Sequence, residues 1–390
     1  MLAHVSAAQA TSFKVLHAFS GGLNGCYPAA GLILGPGGNL YGTTAGGTCS
    51  YGTVFKIAPD GTETVLYDFT GGINGWGPDD PLVMDKKGNL YGATIGGGSI
   101  GCGVVFKVTQ LEKEKTVHDF VGPPNDGCIA IGNMIIDANG NLYGTTSGGG
   151  KGRAGAVFEL SPDGAETVLH SFCPKGSPPC AHGANPNAGL IADAAGNLDS
   201  TTESGGSQRC SAGCGTVFQL AADENETVLY KFKGPPSDGS NSDGALVMDA
   251  SGSLYGTLFY GGISGCLGDA GCGAVFKLVP VGTETILHFF TGKKGDGANP
   301  FAGLVADADG NLYGTTEYGG GPGCTVSALG CGTVFKLATD GTETVLHSFG
   351  KGNNGARPIG GVITDSDGNL YGTTNQGGAD GDGTVFEVTP

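Results

Sequence analysis

The sequence predicts an all-β fold: a seven-bladed β-propeller with four-stranded blades, in which an N-terminal strand closes the last blade. Three observations predict it. A unit of about fifty residues recurs seven times, and periods near this length mark propellers, solenoids or arrays. Each unit parses into four short strands joined by turn signals. The chain begins on a fourth strand and ends on a third, so its two ends can pair.

The signature of the unit is Asn-Leu-Tyr-Gly-Thr-Thr, nearly intact at 39–44, 89–94, 141–146, 311–316 and 369–374. Degraded copies, GNLDSTT and GSLYGTL, occupy 196–202 and 252–258. Unit six shows the strands in order. Strand A is Ala302–Ala306 (AGLVA), followed by the tight turn Asp307–Gly310. Strand B is Asn311–Thr316, then comes a variable loop. Strand C is Gly332–Leu337 (GTVFKL), the turn is TDGT, and strand D is Glu343–Phe349 (ETVLHSF). Gly and Asp in both turns supply the left-handed or Asx-type backbone that tight hairpins need. No segment carries helical periodicity.

The strand-C phenylalanines, Phe55, Phe106, Phe158, Phe218, Phe276, Phe335 and Phe386, set the repeat length. Length varies in the B–C and D–A connections and not in the short turns. Residues 13–19 (FKVLHAF) form a strand D before any strand A, and 383–388 form the last strand C. Pairing them removes the open seam that would expose a sheet edge. The rival fold is a β-helix, suggested by Gly377–Asp382 (GGADGD), but the terminal clasp has no role there.

Composition narrows the class. Gly (78) and Pro (19) make up about a quarter of 390 residues, which without a period would signal low complexity. The net charge of -17 disfavours nucleic acid as a partner. No apolar run is long enough to span a membrane. Twelve cysteines imply disulfides and an oxidising compartment. Ala8-Gln9-Ala10 resembles a signal-peptidase site, so residues 1–12 read as an export-signal remnant or disordered N-terminus, and 13–390 as one propeller. The expected location is secreted or periplasmic, and the expected state monomeric.

The units resemble the GloVer tandem repeats of secreted bacterial proteins, whose hallmark is GNLYGTT, then Gly-Gly, then GTVFK. The resemblance covers roughly residues 13–389 and implies an extracytoplasmic repeat protein, without implying any activity or catalytic residue. The Asp-x-x-Gly-Asn-Leu turn is also similar to that of lactonase, NHL and streptogramin-lyase propellers. Tyr-Gly-Thr-Thr stands here where the lyase repeat has Trp-Phe-Thr-Glu.

Because strands alternate in direction, the B–C and D–A loops share one face, and every cysteine lies in them. The expected pairs are Cys26–Cys49, Cys102–Cys128, Cys173–Cys180, Cys210–Cys214, Cys266–Cys272 and Cys324–Cys331. No metal is assigned to them, since Cys210 and Cys214 lack the further ligands of a zinc site. No cofactor is expected. Calcium is the alternative reading of the Asp-x-Asp-Gly-Asn turns at 307–311 and 365–369, which offer too few oxygens for it. His17, His118, His170, His288 and His347, with Tyr67 and Tyr230 at the same strand-D position, read as contacts between blades.

Function is expected where the symmetry breaks, at the channel mouth on the loop face. Ligand-binding candidates are Tyr27, Tyr51, Trp76, Tyr260 and Tyr318, with Asp79, Asp80 and Asp243. Aromatic faces beside carboxylates suit sugars: rings stack on apolar faces while carboxylates accept hydroxyl protons. The expected function is a binding or scaffold module for glycans or cell-surface material. The alternative is a glycoside hydrolase, lyase or lactonase with Glu203 and Glu317 as its paired carboxylates and His182 nearby.

Overall fold

The computed structural model describes residues 12–46, 51–111, 113–174, 180–262, 265–266, 270–293, 295–321, 324–350 and 353–390. Seven antiparallel sheets with the strand order A-B-C-D make up a seven-bladed β-propeller. In blade six the strands are Val305–Ala306, Leu312–Thr316, Thr333–Leu337 and Glu343–Ser348. Blade seven takes Ile363–Thr364, Leu370–Thr374 and Thr384–Thr389 from the end of the chain and its strand D, Ser12–Ala18, from the start. The predicted clasp is therefore present, with Ser12 opposite Thr389 and Ala18 opposite Thr384.

The inner strands are shorter than the sequence suggests: Ala302, Gly303 and Leu304 lie outside strand A. The Ala302 carbonyl instead accepts the hydroxyl of Thr257 in the neighbouring blade at 2.9 Å. Backbone groups at the ring centre serve the preceding blade rather than their own ladder.

Each residue of the signature has a physical task. Leu fills the space between blades and is almost fully buried. Gly lies opposite the strand-C phenylalanine, and a Cβ there would sit 2.5–2.8 Å from the tip of that ring in six blades. The first Thr donates to a carbonyl of the following blade. Thr43 reaches Asp80, Thr145 Ala188, Thr201 Ser242, Thr315 Gly360 and Thr373 Ala30, all at 2.8–3.3 Å. The second Thr caps strand C, as where the Thr44 hydroxyl accepts the Thr53 N–H at 3.1 Å. Tyr91, Tyr255, Tyr313 and Tyr371 donate their hydroxyls to the aspartate of the A–B turn.

That aspartate is occupied by its own turn. In Asp85, Asp137, Asp193, Asp249, Asp307 and Asp365, Oδ1 accepts the N–H groups two and four residues on at 2.8–3.0 Å. This is the turn-forming role, and it explains the Asp-x-x-Gly-Asn pattern without calcium.

A second ring holds the blades together from the strand-D side. Phenylalanines that follow strand D meet the strand-C phenylalanine of the next blade edge to face. The pairs Phe19–Phe55, Phe69–Phe106, Phe120–Phe158, Phe172–Phe218, Phe232–Phe276, Phe290–Phe335 and Phe349–Phe386 have centroids 5.0–5.4 Å apart. All fourteen rings are buried. Each such pair contributes roughly 0.5–1.5 kcal/mol beyond its burial. The strand-D histidines lie between blades as well: His17 meets Glu63 of blade one at 3.3 Å, and His347 stacks on Phe13 at 3.6 Å.

Blade four departs from the pattern in a coordinated way. Asp199 replaces the signature Tyr and Gln219 the usual strand-C Lys, and the Gln219 amide donates to Asp199 Oδ1 at 3.0 Å. In blades two, five and six that Lys lies over the Tyr ring. A cation–π pair has thus become a hydrogen-bonded pair.

Five of the expected disulfides are formed: Cys102–Cys128, Cys173–Cys180, Cys210–Cys214, Cys266–Cys272 and Cys324–Cys331. Cys26 is disulfide-bonded too, while Cys49 lies outside the described residues. Residues 1–11, with Ala8-Gln9-Ala10, also lie outside them. Among the described residues, no helix is long and apolar enough to cross a membrane.

Candidate functional site

The channel mouth is built by one backbone position repeated seven times. Tyr27, Gly77, Ile129, Asn185, Asn241, Asn299 and Arg357 all adopt left-handed backbone, with φ between 54° and 66°. Three of them, Tyr27, Ile129 and Arg357, carry side chains that disfavour it, so the surroundings must hold it in place. Hydrogen bonds do so. Each N–H donates to a B–C loop carbonyl of the preceding blade, and in four cases that carbonyl belongs to a disulfide cysteine: Cys102, Cys214, Cys272 or Cys331. The staples therefore position the loops that form the mouth.

The left-handed residue turns the chain so that the residues after it line the channel. Two places on stand Ala29, Asp79, Ile131, Asn187, Asp243, Phe301 and Ile359, and all seven line a cavity of about 480 Å³. Those from blades two, four and five are acidic or amide, with Ile131 of blade three between Asp79 and Asn187. The other residues of the ring are apolar.

The acidic groups are tightly enclosed. Burial raises Asp79 to about 6 and, with Asp79 beside it, Asp80 to about 7. Asp80 Oδ1 accepts the Gly132 N–H at 2.7 Å, while its Oδ2, Asp79 Oδ1 and Asn187 Oδ1 are buried without hydrogen-bond partners. Burial, with the Glu203 charge second, pushes Asp243 up to about 7. Near neutral pH these carboxyls can both donate and accept hydrogen bonds.

Glu203, the residue after strand B of blade four (Leu198–Thr202), joins Asn187 and Asp243. The Asn187 amide nitrogen lies 2.7 Å from Glu203 Oε2 and 3.4 Å from Asp243 Oδ1, and Asn241 donates to Glu203 Oε1 at 3.2 Å. Glu317 is its equivalent in blade six but has a different fate. It is buried and ion-paired with Arg357, which occupies the place Asn241 has beside Glu203. Glu203 and Glu317 share no hydrogen-bond partner, whereas Glu203 and Asp243 share Asn187.

The other expected residues are placed as follows. His182 lies at the rim, largely exposed, with Nδ1 2.7 Å from Glu226. None of Tyr27, Tyr51, Trp76, Tyr260 and Tyr318 lines the cavity. Tyr51 and Trp76 are exposed in loops, packed beside Gly71 and Gly96. Tyr318 lies under the Arg357 guanidinium, and Tyr260 meets Phe259 edge to face at 4.9 Å. The channel aromatic is Phe301, which the sequence reading missed along with Asn187. Both stand two places after a left-handed Asn, in register with Asp79 and Asp243, and aligning that register would have found them.

Comparison with known proteins agrees with the repeat. The Gloeobacter/Verrucomicrobia repeat matches residues 5–211, 176–320 and 262–390. The chain belongs to this family. No curated protein matches it in sequence. Solved structures resemble it in fold. A fungal alcohol oxidase of the AA5 family, in complex with copper, is 14% identical with a TM-score of 0.57, covering 97% of this chain and 76% of its own. A gluconolactonase from Xanthomonas campestris is 15% identical with a TM-score of 0.45, covering 78% and 86%. A luciferin-regenerating enzyme is 14% identical with a TM-score of 0.44, covering 79% and 90%. At these identities the likeness is one of architecture.

Proposed function

We propose that this repeat protein is a secreted binding propeller that takes a polyhydroxylated ligand, a glycan or glycan-bearing surface, at the channel mouth. The observation that carries the reading is the mixed ring. Asp79 and Asp80 of blade two and Asn187 and Asp243 of blades four and five bring polar groups to the ring, with acceptor atoms of Asp79, Asp80 and Asn187 buried and unpaired, while Ile131 between them and Phe301 and Ile359 beyond give the ring apolar parts. Sugars present this pairing of hydroxyl edges and apolar faces, and pockets with a few convergent polar groups favour such ligands. Export is supported by the disulfides on the loop face. A glycan array on the purified protein, followed by titration calorimetry, tests the reading. Asp243→Asn and Phe301→Ala should each weaken binding at least tenfold, and Glu317→Gln should leave it unchanged. Binding indifferent to both channel substitutions would overturn it.

A second reading rests on the contact that Asn187 makes with both Glu203 and Asp243. A carboxyl held protonated to about 7 beside a carboxylate fixed by two amides is an acid–base arrangement. A hydrolase, lyase and lactonase screen addresses it. Turnover abolished by both Glu203→Gln and Asp243→Asn would replace the binding module with an enzyme.

A further inference from the structure

Away from the channel, the seams between blades gather a second set of chemically able side chains. His288 from strand D of blade five, Asp296 from the following loop and Glu343 from strand D of blade six converge, with ligand atoms within 4.8 Å of one another. His118, Asp126 and Glu166 form the equivalent cluster between blades two and three. The two differ in what their atoms already do. Asp126 is satisfied: Oδ2 accepts the Val121 N–H at 2.7 Å, Oδ1 accepts the Gly127 N–H at 2.6 Å, and both approach His118 Nε2. In the blade five–six cluster, His288 Nε2, Asp296 Oδ1 and Glu343 Oε1 are all buried and all lack hydrogen-bond partners. Glu166 Oε1 is the one such atom of the other cluster, whereas here three atoms without a hydrogen bond meet, two of them only ion-paired at 3.7 Å, and they point to a ligand that joins them.

We propose that His288, Asp296 and Glu343 bind a divalent transition-metal ion, zinc by donor set, which clamps blade five to blade six. One imidazole nitrogen with two carboxylates suits zinc better than calcium or magnesium, which take oxygen alone. Zinc bonds of about 2.0–2.2 Å place tetrahedral ligands about 3.3–3.6 Å apart. His288 Nε2 and Asp296 Oδ1 lie 3.7 Å apart, so side-chain adjustments of a few tenths of an ångström complete that edge. Asp296 is already oriented, because its Oδ2 accepts the Thr291 N–H at 2.8 Å and the Thr291 hydroxyl, leaving Oδ1 for the metal. Such outer contacts are what fix ligands in metal sites. The charge also fits. Among the described residues no Lys or Arg forms an ion pair with Asp296 or Glu343. The ion would sit at a seam, so its readout is the stability of the ring.

The test uses the full chain stripped with EDTA. Titration with zinc should show one saturable site and raise the melting temperature. Cobalt(II) in its place should give the visible absorption of a tetrahedral centre. His288→Tyr, a residue the repeat itself places there as Tyr67 and Tyr230, and Glu343→Gln should each weaken binding at least tenfold and remove the thermal shift. His118→Tyr should leave both intact. Absence of saturable binding, binding unchanged in His288→Tyr and Glu343→Gln, or binding lost in His118→Tyr instead would overturn the assignment.

Discussion

Asp199→Asn should stabilise the protein, and should do so only where the carboxylate is charged. Asp199 is fully buried in blade four, with Oδ1 held by Gln219 and Oδ2 without a partner. Burial raises it from the ordinary 3.8 to about 6. The folded protein therefore holds this proton more tightly than the unfolded chain does. Stability is undiminished by Asp199 below pH 3.8, falls as pH rises from there to about 6, and has lost its full amount above that. The difference of about 2.2 in pKa corresponds to about 3 kcal/mol at roughly 1.4 kcal/mol per unit. Asparagine keeps an acceptor for Gln219 and matches the neutral acid in shape, so the gain should be about 3 kcal/mol at pH 8 and about 0.5 kcal/mol at pH 4. Urea unfolding followed by circular dichroism at both values, on wild type and variant, reads it directly. Taking the difference cancels the other raised acids. A gain equal at the two pH values, or a loss at pH 8, would refute the argument from buried charge.

Other expectations follow from the same geometry. Gly256→Ala puts a Cβ 2.7 Å from Phe276 Cζ and 2.9 Å from Leu246, and should cost about 1–3 kcal/mol in a denaturant melt. Replacing both cysteines of Cys102–Cys128, which closes 26 residues, should cost more than replacing Cys210–Cys214, which closes 4. Loop-closure entropy gives about 3.5 against about 2 kcal/mol, an order that unfolding of the two double-alanine variants would check. Ile129→Asn swaps a β-branched residue at φ 60° for the residue found at Asn185, Asn241 and Asn299, and should raise stability by about 1 kcal/mol in the same assay.

The fold was legible because its information is periodic. Turn chemistry, strand C and the terminal clasp each repeat or close a pattern, and register then follows from strand pairing. Disulfide partners were legible too, since both members of a pair fall in one loop or in neighbouring loops. The site was less so. Asp79, Asp80 and Asp243 were found as isolated acids, but Glu317 was chosen by equivalence with Glu203, and equivalence says nothing about neighbours. Arg357 neutralises one and Asn241 only hydrogen-bonds the other, a difference of one residue about forty positions downstream. The loop aromatics lie outside the cavity lining for a related reason. Sequence places them on the correct face but cannot set their distance from the axis, which depends on the left-handed turn at Tyr27, Gly77 and their counterparts.

Those seven turns have a consequence for how the molecule can diversify. Their shape is imposed by main-chain bonds and stapled loops, so each behaves as a socket that accepts Tyr, Gly, Ile, Asn or Arg without reshaping its neighbours. The residue two places further on is then a free variable at a fixed radius. Seven such variables around one axis amount to a combinatorial receptor surface on an invariant frame. Specificity can be rewritten one wedge at a time, by copying or exchanging a single blade, while the thermodynamic unit stays the same. Exchanging the Asn185–Asn187 and Asn241–Asp243 segments between blades four and five would be the smallest such rewrite.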